Sequence, residues 1–282
     1  MTKFTLCADD FGLGPHTDDG IISLVEKSRL NAVSCMSVGD TFESNAARLT
    51  HAAKLAEFPV EIGLHLTFTE YAPLGEMPIL APTGVFPTIS SLILKAYLGK
   101  LNLVEIITQI EKQFSAFETA FGVMPDFVDG HQHAHILPVV RDALIPIAKT
   151  SLEPNGWIRS CHLPFREIMQ ARVSTKRALI ISSLSKRLQS MLIQDKINTN
   201  QIFYGVNEFH SQQDFSQMMC TWLGSIGRLN KKALIMCHPG MPTELTEASL
   251  PDTIANRRPD EFAYLSSDEF LQDMRHYELG LG

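Results

Sequence analysis

The chain has 282 residues, with 24 Lys and Arg against 31 Asp and Glu, for a formal net charge of −7. A hydrophobic share of 45% with 20% charged residues suits a globular protein with a sizeable core and excludes a disordered tail, a collagen or a coiled-coil rod. The acidic balance argues against a nucleic-acid partner, and no apolar run approaches the ~20 residues of a membrane span.

In chain order, short β-type runs alternate with helical patterns. Residues 4–8 suit a strand and 20–27 a helix; 32–38 are the next strand, 44–57 an Ala-rich helix, and 60–66 a third strand. Apolar residues Ile106, Ile107, Ile110, Phe114, Phe117 and Phe121 recur at spacings of mostly three and four, the mark of an amphipathic helix, and Gly122 and Pro125 provide its stop. A brief strand over 127–129 precedes a helix over 139–149, a strand over 157–161 and a long helical stretch over 172–195. Residues 201–206 form another short run. Phe215, Met218, Met219, Trp222, Leu223 and Ile226 draw a second helical stripe, and 233–237 is the last strong strand. The basic residues Lys176, Arg177, Lys186 and Arg187 read as a solvated helix face rather than a binding patch.

Such alternation implies a parallel sheet covered by helices. Its six or seven units suit a (β/α) TIM-like barrel, complete or incomplete, better than an open sheet, with 1–282 as one domain. Two Pro-punctuated connections, 67–88 and 239–264, are long enough to form a lid or rim. Early in the chain, Lys3 and a short apolar run lead straight into Asp9 and Asp10, too short and too acidic for a secretory signal. The five cysteines are scattered without a C-x-x-C, so reduced thiols in a cytoplasmic protein are expected.

The chemistry-bearing residues fall at strand ends. Asp9 and Asp10 follow the first strand, and His65 ends the third. His131, His133 and His135 follow the strand ending at Asp129, and His238 follows the last. In an α/β barrel the C-terminal strand ends converge on one face, where sites are built. Taken singly, each has a plain reading: a hydrogen-bonded loop His, or an Asp at a turn or helix cap. Together they favour a divalent metal site of one Asp with two or three His. In extended backbone the alternating histidines would share one face. Mixed N and O ligands suit Zn²⁺ in a catalytic role, with Mg²⁺, Mn²⁺ or Co²⁺ compatible, and a free carboxylate beside the metal would be a general base. On the residues alone this is a metal-dependent hydrolase. The rivals are an amidohydrolase- or phosphoesterase-like barrel using His131 and His133 as the metal pair, and a non-catalytic sugar-binding module with a structural metal.

The segments Ala8-Asp9-Asp10-Phe11-Gly12-Leu13, Gly63-Leu64-His65-Leu66, Asp129-Gly130-His131-Gln132-His133-Ala134-His135, Phe203-Tyr204-Gly205 and Met236-Cys237-His238-Pro239, in that order, resemble the YdjC-like carbohydrate deacetylase family. The resemblance implies a distorted (β/α) barrel that removes an N-acetyl group from an amino sugar of an oligosaccharide or glycolipid. It implies one divalent metal on Asp10, His65 and His131, Asp9 as base, and homodimers, which are common among such proteins. His238 is the candidate acid. His133 and His135 would orient ligands or touch substrate, while Phe68, Tyr71 and Tyr204 could stack on a pyranose. Asp18 stands where that family often has Asn, and the added length around 154–201 bears on which sugar is accepted.

Overall fold

The computed structural model describes residues 1–209, 214–229, 231–242 and 252–281. In chain order the elements are β1 (Thr2–Lys3), β2 (Thr5–Phe11), α1 (Pro15–Glu26), β3 (Ala32–Cys35), α2 (Phe42–Leu55), β4 (Glu61–Leu66), α3 (Ile89–Tyr97), α4 (Leu103–Phe121) and β5 (Phe127–Gly130). A 3₁₀ turn over His131–Ile136 leads to α5 (Val140–Ser151), β6 (Trp157–Ile158), α6 (Phe165–Ala171), α7 (Thr175–Gln194), β7 (Ile202–Tyr204), α8 (Phe215–Leu229) and β8 (Ala233–Cys237). The chain closes with α9 (Arg258–Ser266), α10 (Asp268–His276) and β9 (Leu279–Gly280).

Seven strands form one parallel sheet in the order β6-β5-β4-β3-β2-β8-β7, an α/β half-barrel flanked by helices. Of the two forms of barrel expected, complete or incomplete, the incomplete one is observed. β3 and β8 are buried along their whole length and β2 along all but its first residue, as parallel strands covered on both faces must be. That is why β8 reads as an unbroken apolar run, and why the polar residues of β2 and β3, Asp9, Asp10 and Ser34, stand out as buried exceptions. β1 and β9 form a separate parallel pair, and Asn31 braces it by donating to Phe4 O and Leu281 O while accepting from Leu6 N.

Local chemistry explains the clearest helix. Asn102 caps α4 by accepting from Glu105 N, and Gly122 ends it in the left-handed region. On its buried face Gln113 accepts from Thr67 N at 2.9 Å and donates to Thr67 O at 2.8 Å, pinning the start of the 67–88 connection where β4 ends. Gly63 is required by close approach, because a Cβ there would lie 2.4 Å from the Phe127 ring.

Some boundaries differ from expectation. The long helical stretch expected over 172–195 is α7, which starts at Thr175 because Arg172 and Ser174 both adopt left-handed backbone after a short preceding helix, α6. Only two residues of 157–161 pair as strand, and α3, α9 and α10 carry no long periodic stripe to announce them. Residues 243–251, within the second long connection, lie outside the described residues.

The half-barrel's open edges meet through a side chain. Ile158 N donates to Asn198 O at 3.0 Å. The buried Asn200 amide accepts from Ser160 N at 2.8 Å and donates to Ser160 O at 2.8 Å and Ile202 O at 3.0 Å. It replaces the ladder that β6 and β7 lack. Asn200→Ala should therefore cost about 2–4 kcal/mol by urea denaturation, because it strands buried backbone groups; a loss under about 0.5 kcal/mol would show that the seam holds without it.

Candidate active site

Consecutive residues on a regular strand point to opposite faces, yet Asp9 and Asp10 both line one cleft. The cause is local. Asp10 has φ 70°, and the β2–β3 register shifts between Ala8 and Phe11. This bulge turns both carboxylates inward. Gly12, at φ 95°, completes the turn; a Cβ there would sit 2.9 Å from Met36 O and from the Phe42 side chain. Asp18, fully buried, accepts from Gly12 N, Thr41 Oγ1 and Asn45 Nδ2 at 2.6–2.7 Å. Three donors on one side chain suit an acceptor-only carboxylate, which accounts for Asp at this position.

Asp10, His65 and His131 meet across three strand ends, each offering a donor atom within 4.8 Å of the others. Asp10 Oδ1 lies 3.4 Å from His65 Nε2 and 3.0 Å from His131 Nδ1, while its Oδ2 accepts from Arg258 Nη2 at 2.7 Å. Burial pushes Asp10 up, but Arg258 and His131 outweigh it and hold the carboxyl well below its ordinary range. His65 Nδ1 donates to Asp129 Oδ1 at 2.6 Å, which leaves Nε2 facing Asp10, and Ser34 Oγ donates to the same Asp129 oxygen. Burial lowers His65, yet Asp129, Asp9 and Asp10 together raise it to about 10. The residues fit a divalent cation on three counts. The donor set is one carboxylate and two imidazoles, His65 is oriented from behind by a carboxylate as metal-binding histidines commonly are, and the buried Nε2 of His131 has no hydrogen-bond partner among the described residues.

A second acidic cluster, Cys7, Asp9 and Asp129, is equally tight but already holds a cation. Arg159, fully buried, donates from Nη1 to Asp9 Oδ2 and from Nη2 to Asp9 Oδ1, both at 2.6 Å, and Nη2 also reaches Asp129 Oδ2 and lies 3.0 Å from Cys7 Sγ. Despite burial, Arg159 and His65 keep Asp129 well below the ordinary carboxylate range. One guanidinium thus sets the plane of Asp9 and, through Asp129, the ring of His65.

The histidines after β5 do not share a face. Gln132 and His133 adopt φ 50° and 61°, so the backbone turns rather than extends and sends the three rings apart. His131 goes to Asp10. His133 lines the cleft against Phe203, with Nδ1 3.6 Å from Cys161 Sγ, and burial followed by His135 and Arg159 lowers its pKa well below the usual value. His135 is fully buried and donates from Nε2 to Arg159 O at 3.0 Å, so it steadies the backbone of the clamping arginine. His238 lines the cleft after β8. Its backbone N–H donates to the buried Glu261, and its Nδ1 has no partner among the described residues. Burial outweighs the pull of Asp10 and Asp9 and takes its pKa to about 4; burial likewise raises Glu261 to about 7.

Phe68 and Tyr204 lie in the core and do not line the cleft; Phe68 packs on Phe86. Tyr71 does line it, its ring edge-on to His131 at 5.5 Å. The sequence reading omits Arg159, Arg258, Ser34 and any role for Asp129. Two signals pointed to them: Asp129 and Arg159 sit at strand ends like the other site residues, and Arg258 falls within the second long connection.

Arg159→Met should destabilise the fold by about 3–5 kcal/mol near neutral pH, because it leaves Asp9 and Asp129 charged, buried and unpaired. The deficit should narrow as pH falls toward ~4, since burial without the guanidinium makes Asp129 take up its proton early in the mutant, while the depressed wild-type Asp129 keeps its contribution until pH falls below the ordinary carboxylate range. Urea denaturation at several pH values measures it; a pH-independent deficit would mean that Arg159 acts by packing alone.

A family model described as YdjC-like protein matches residues 3–276. The chain is 32% identical over 144 residues to a "Carbohydrate deacetylase" of Mus musculus, covering 49% of this chain and 44% of that protein. It is 33% identical over 139 residues to a "Chitooligosaccharide deacetylase" of Serratia marcescens, covering 47% of this chain and 50% of that one. The aligned stretch thus spans about half the length of these relatives. A solved structure from Enterococcus faecalis V583, provisionally described as a cellobiose-phosphate cleavage protein, shares the fold at TM-score 0.76 and 18% identity over 100% of this chain and 97% of that one. With the family match running across almost the whole half-barrel and every strand end that carries a site residue, the chain belongs to the YdjC-like family.

Proposed function

We propose that this chain, residues 1–282 acting as one domain, is a metal-dependent hydrolase that removes the N-acetyl group from an amino sugar. The observation that carries the reading is a second carboxylate, Asp9, clamped by Arg159 beside the Asp10, His65 and His131 cluster in one cleft of about 270 Å³. Family membership and the names of the relatives support the same reaction class. We assign it to the cytoplasm on its free cysteine thiols.

A divalent cation held by Asp10, His65 and His131, zinc or magnesium with manganese or cobalt as alternatives, would polarise the acetamide carbonyl and acidify water. The chain's own groups do the rest. Asp9 accepts a proton from the attacking water, and the Arg159 fork keeps its carboxylate in one plane so that the accepting lone pair stays aimed into the cleft. An amine departs only with its nitrogen protonated, and His238 is the donor we assign. Burial keeps His238 neutral in the resting protein, so the proton it gives to the amine is the one that Asp9 takes from the attacking water and passes on, which leaves both groups as they began. Tyr71 and His133 shape the walls around these groups.

Acetate release from N-acetylglucosamine oligomers should stop with chelator and return on adding metal. Asp9→Asn should retain metal yet lose about 10²–10⁴-fold in turnover; a metal-replete variant with near-wild-type rate would place the base elsewhere. His238→Ala should slow acetamide hydrolysis severely and aryl acetate hydrolysis far less, because phenolate leaves without a proton. Equal losses on both substrates would argue against the acid role.

A further inference from the structure

Glu70 and Gln132 stand on the cleft in backbone that most side chains avoid. Glu70 has φ 67° and Gln132 φ 50°, the left-handed region in which a Cβ is crowded. Each is held there by its surroundings. Glu70 N donates to Pro87 O at 3.3 Å and Phe86 N to Tyr71 O at 2.8 Å, so the two ends of the 67–88 connection clasp at this point. Gln132 lies in the 3₁₀ turn, directly after His131. The two side chains, 62 residues apart in sequence, then meet: Gln132 Nε2 donates to Glu70 Oε2 at 2.9 Å. Both line the cavity that holds Asp9, Asp10, His65 and His131. Strained backbone of this kind clusters where its side chains serve a ligand.

A tie between two connections does not account for the pair. Gln132 Oε1 is buried and has no hydrogen-bond partner among the described residues, an arrangement that costs free energy until a donor arrives. Other polar groups on the cleft are spent on the chain itself. Asn207 donates to Gly205 O and accepts from Phe209 N, and Asp252 accepts from Arg258 Nε and Ile254 N. Glu70 and Gln132 thus set a carboxylate and a free amide oxygen, both acceptors, against each other. They do so beside the cation cluster, since Tyr71, next to Glu70, packs edge-on to His131.

Two acceptors in contact call for a ligand with two neighbouring O–H donors. On the deacetylase reading, on which this inference rests, the ligand supplies one such pair. In a glycoside of a 2-acetamido-2-deoxyhexopyranose, C1 carries the linkage and C2 the acetamide, so the neighbouring free hydroxyls of the ring are those on C3 and C4. We propose that Glu70 and Gln132 are specificity-determining residues that accept from these two hydroxyls and so fix the ring with its acetamide toward the cation cluster. A sugar lacking either hydroxyl leaves one acceptor unpaired, which is the means by which a polar site rejects an analogue.

Calorimetric binding of methyl 2-acetamido-2-deoxyglucopyranoside and its 3-deoxy and 4-deoxy analogues to the zinc-loaded protein tests it. A hydrogen bond to a carboxylate is worth about 10–100-fold in affinity and one to an amide about 2–10-fold. The wild type should therefore lose about 10–100-fold on one analogue and about 2–10-fold on the other. In Glu70→Leu the first penalty should fall below about twofold, because the partner of the missing hydroxyl is gone as well; Gln132→Leu should do the same to the second. Glu70→Gln, which keeps an acceptor for the Gln132 amide, should cut the first penalty to about 2–10-fold, and it carries the test if the leucine variant does not fold. Equal affinity of the wild type for all three glycosides, failure of the parent glycoside to bind, or undiminished penalties in the variants would overturn the proposal. Thermal unfolding that falls in the variants while the penalties persist would mark the pair as a tie between connections only. Acetate assays on the same glycosides separate the two readings. Matched penalties without acetate release remove the deacetylase assignment and leave the diol pair; acetate release without matched penalties does the reverse.

Discussion

The buried guanidinium of Arg159 is the constraint on which the site depends. Taking a charge this far from water costs several kcal/mol unless it is paired with good geometry, and here it is paired twice, to Asp9 and to Asp129. Both carboxylates need it in turn. Arg159 is itself held from behind, its carbonyl accepting from His135. Because the guanidinium fills the Cys7, Asp9 and Asp129 cluster, the neighbouring Asp10, His65 and His131 cluster is the one to which the proposed cation is assigned. Adjacent carboxylates on one strand thereby acquire different work. Asp9 is bound to a fixed organic cation on the chain, and Asp10 presents an oxygen to two imidazoles.

This division follows from the sheet. Parallel strands in the order β5-β4-β3-β2-β8 bring the ends of four of them, bearing Asp129, His65, the Asp pair and His238, to one rim, while β3 supplies Ser34 from its interior. The bulge at Asp10 is the single irregularity that lets two successive side chains share that rim, and Asp18 with Gly12 holds it in shape. Arg258, at the start of α9, reaches back to Asp10 and is braced by Asp252 at 2.7 Å, so the far end of the chain closes the charge network opened by the first long strand.

Much of this was legible in the sequence, and the reasons differ by element. Strands buried on both faces read as apolar runs, and α4 and α8 carry stripes long enough to show their period; α3 and α10 span nine residues each and do not. Asp10, His65, His131 and His238 stood out as candidates because strand ends are where a parallel barrel concentrates chemistry, and the structure brings them to one cleft. Arg159 obeys the same rule but was passed over, since an Arg is ordinarily at the surface and only its tertiary partners reveal a buried one. The alternating histidines misled for a geometric reason: the sequence pattern shows spacing, while the left-handed backbone at Gln132 and His133 decides direction. Phe68 and Tyr204 illustrate the ambiguity of aromatic residues, whose composition suits a sugar platform and a core equally well.

The central claim is that one cation site is filled by the chain and the other is left for a metal. Anomalous X-ray scattering at the zinc edge, from crystals of the zinc-loaded protein, tests this most directly. The account predicts one peak bonded to Asp10, His65 and His131, with Arg159 unmoved between Asp9 and Asp129. A peak among Cys7, Asp9 and Asp129 with Arg159 displaced, or a peak bonded to His133 in place of His65, would contradict it.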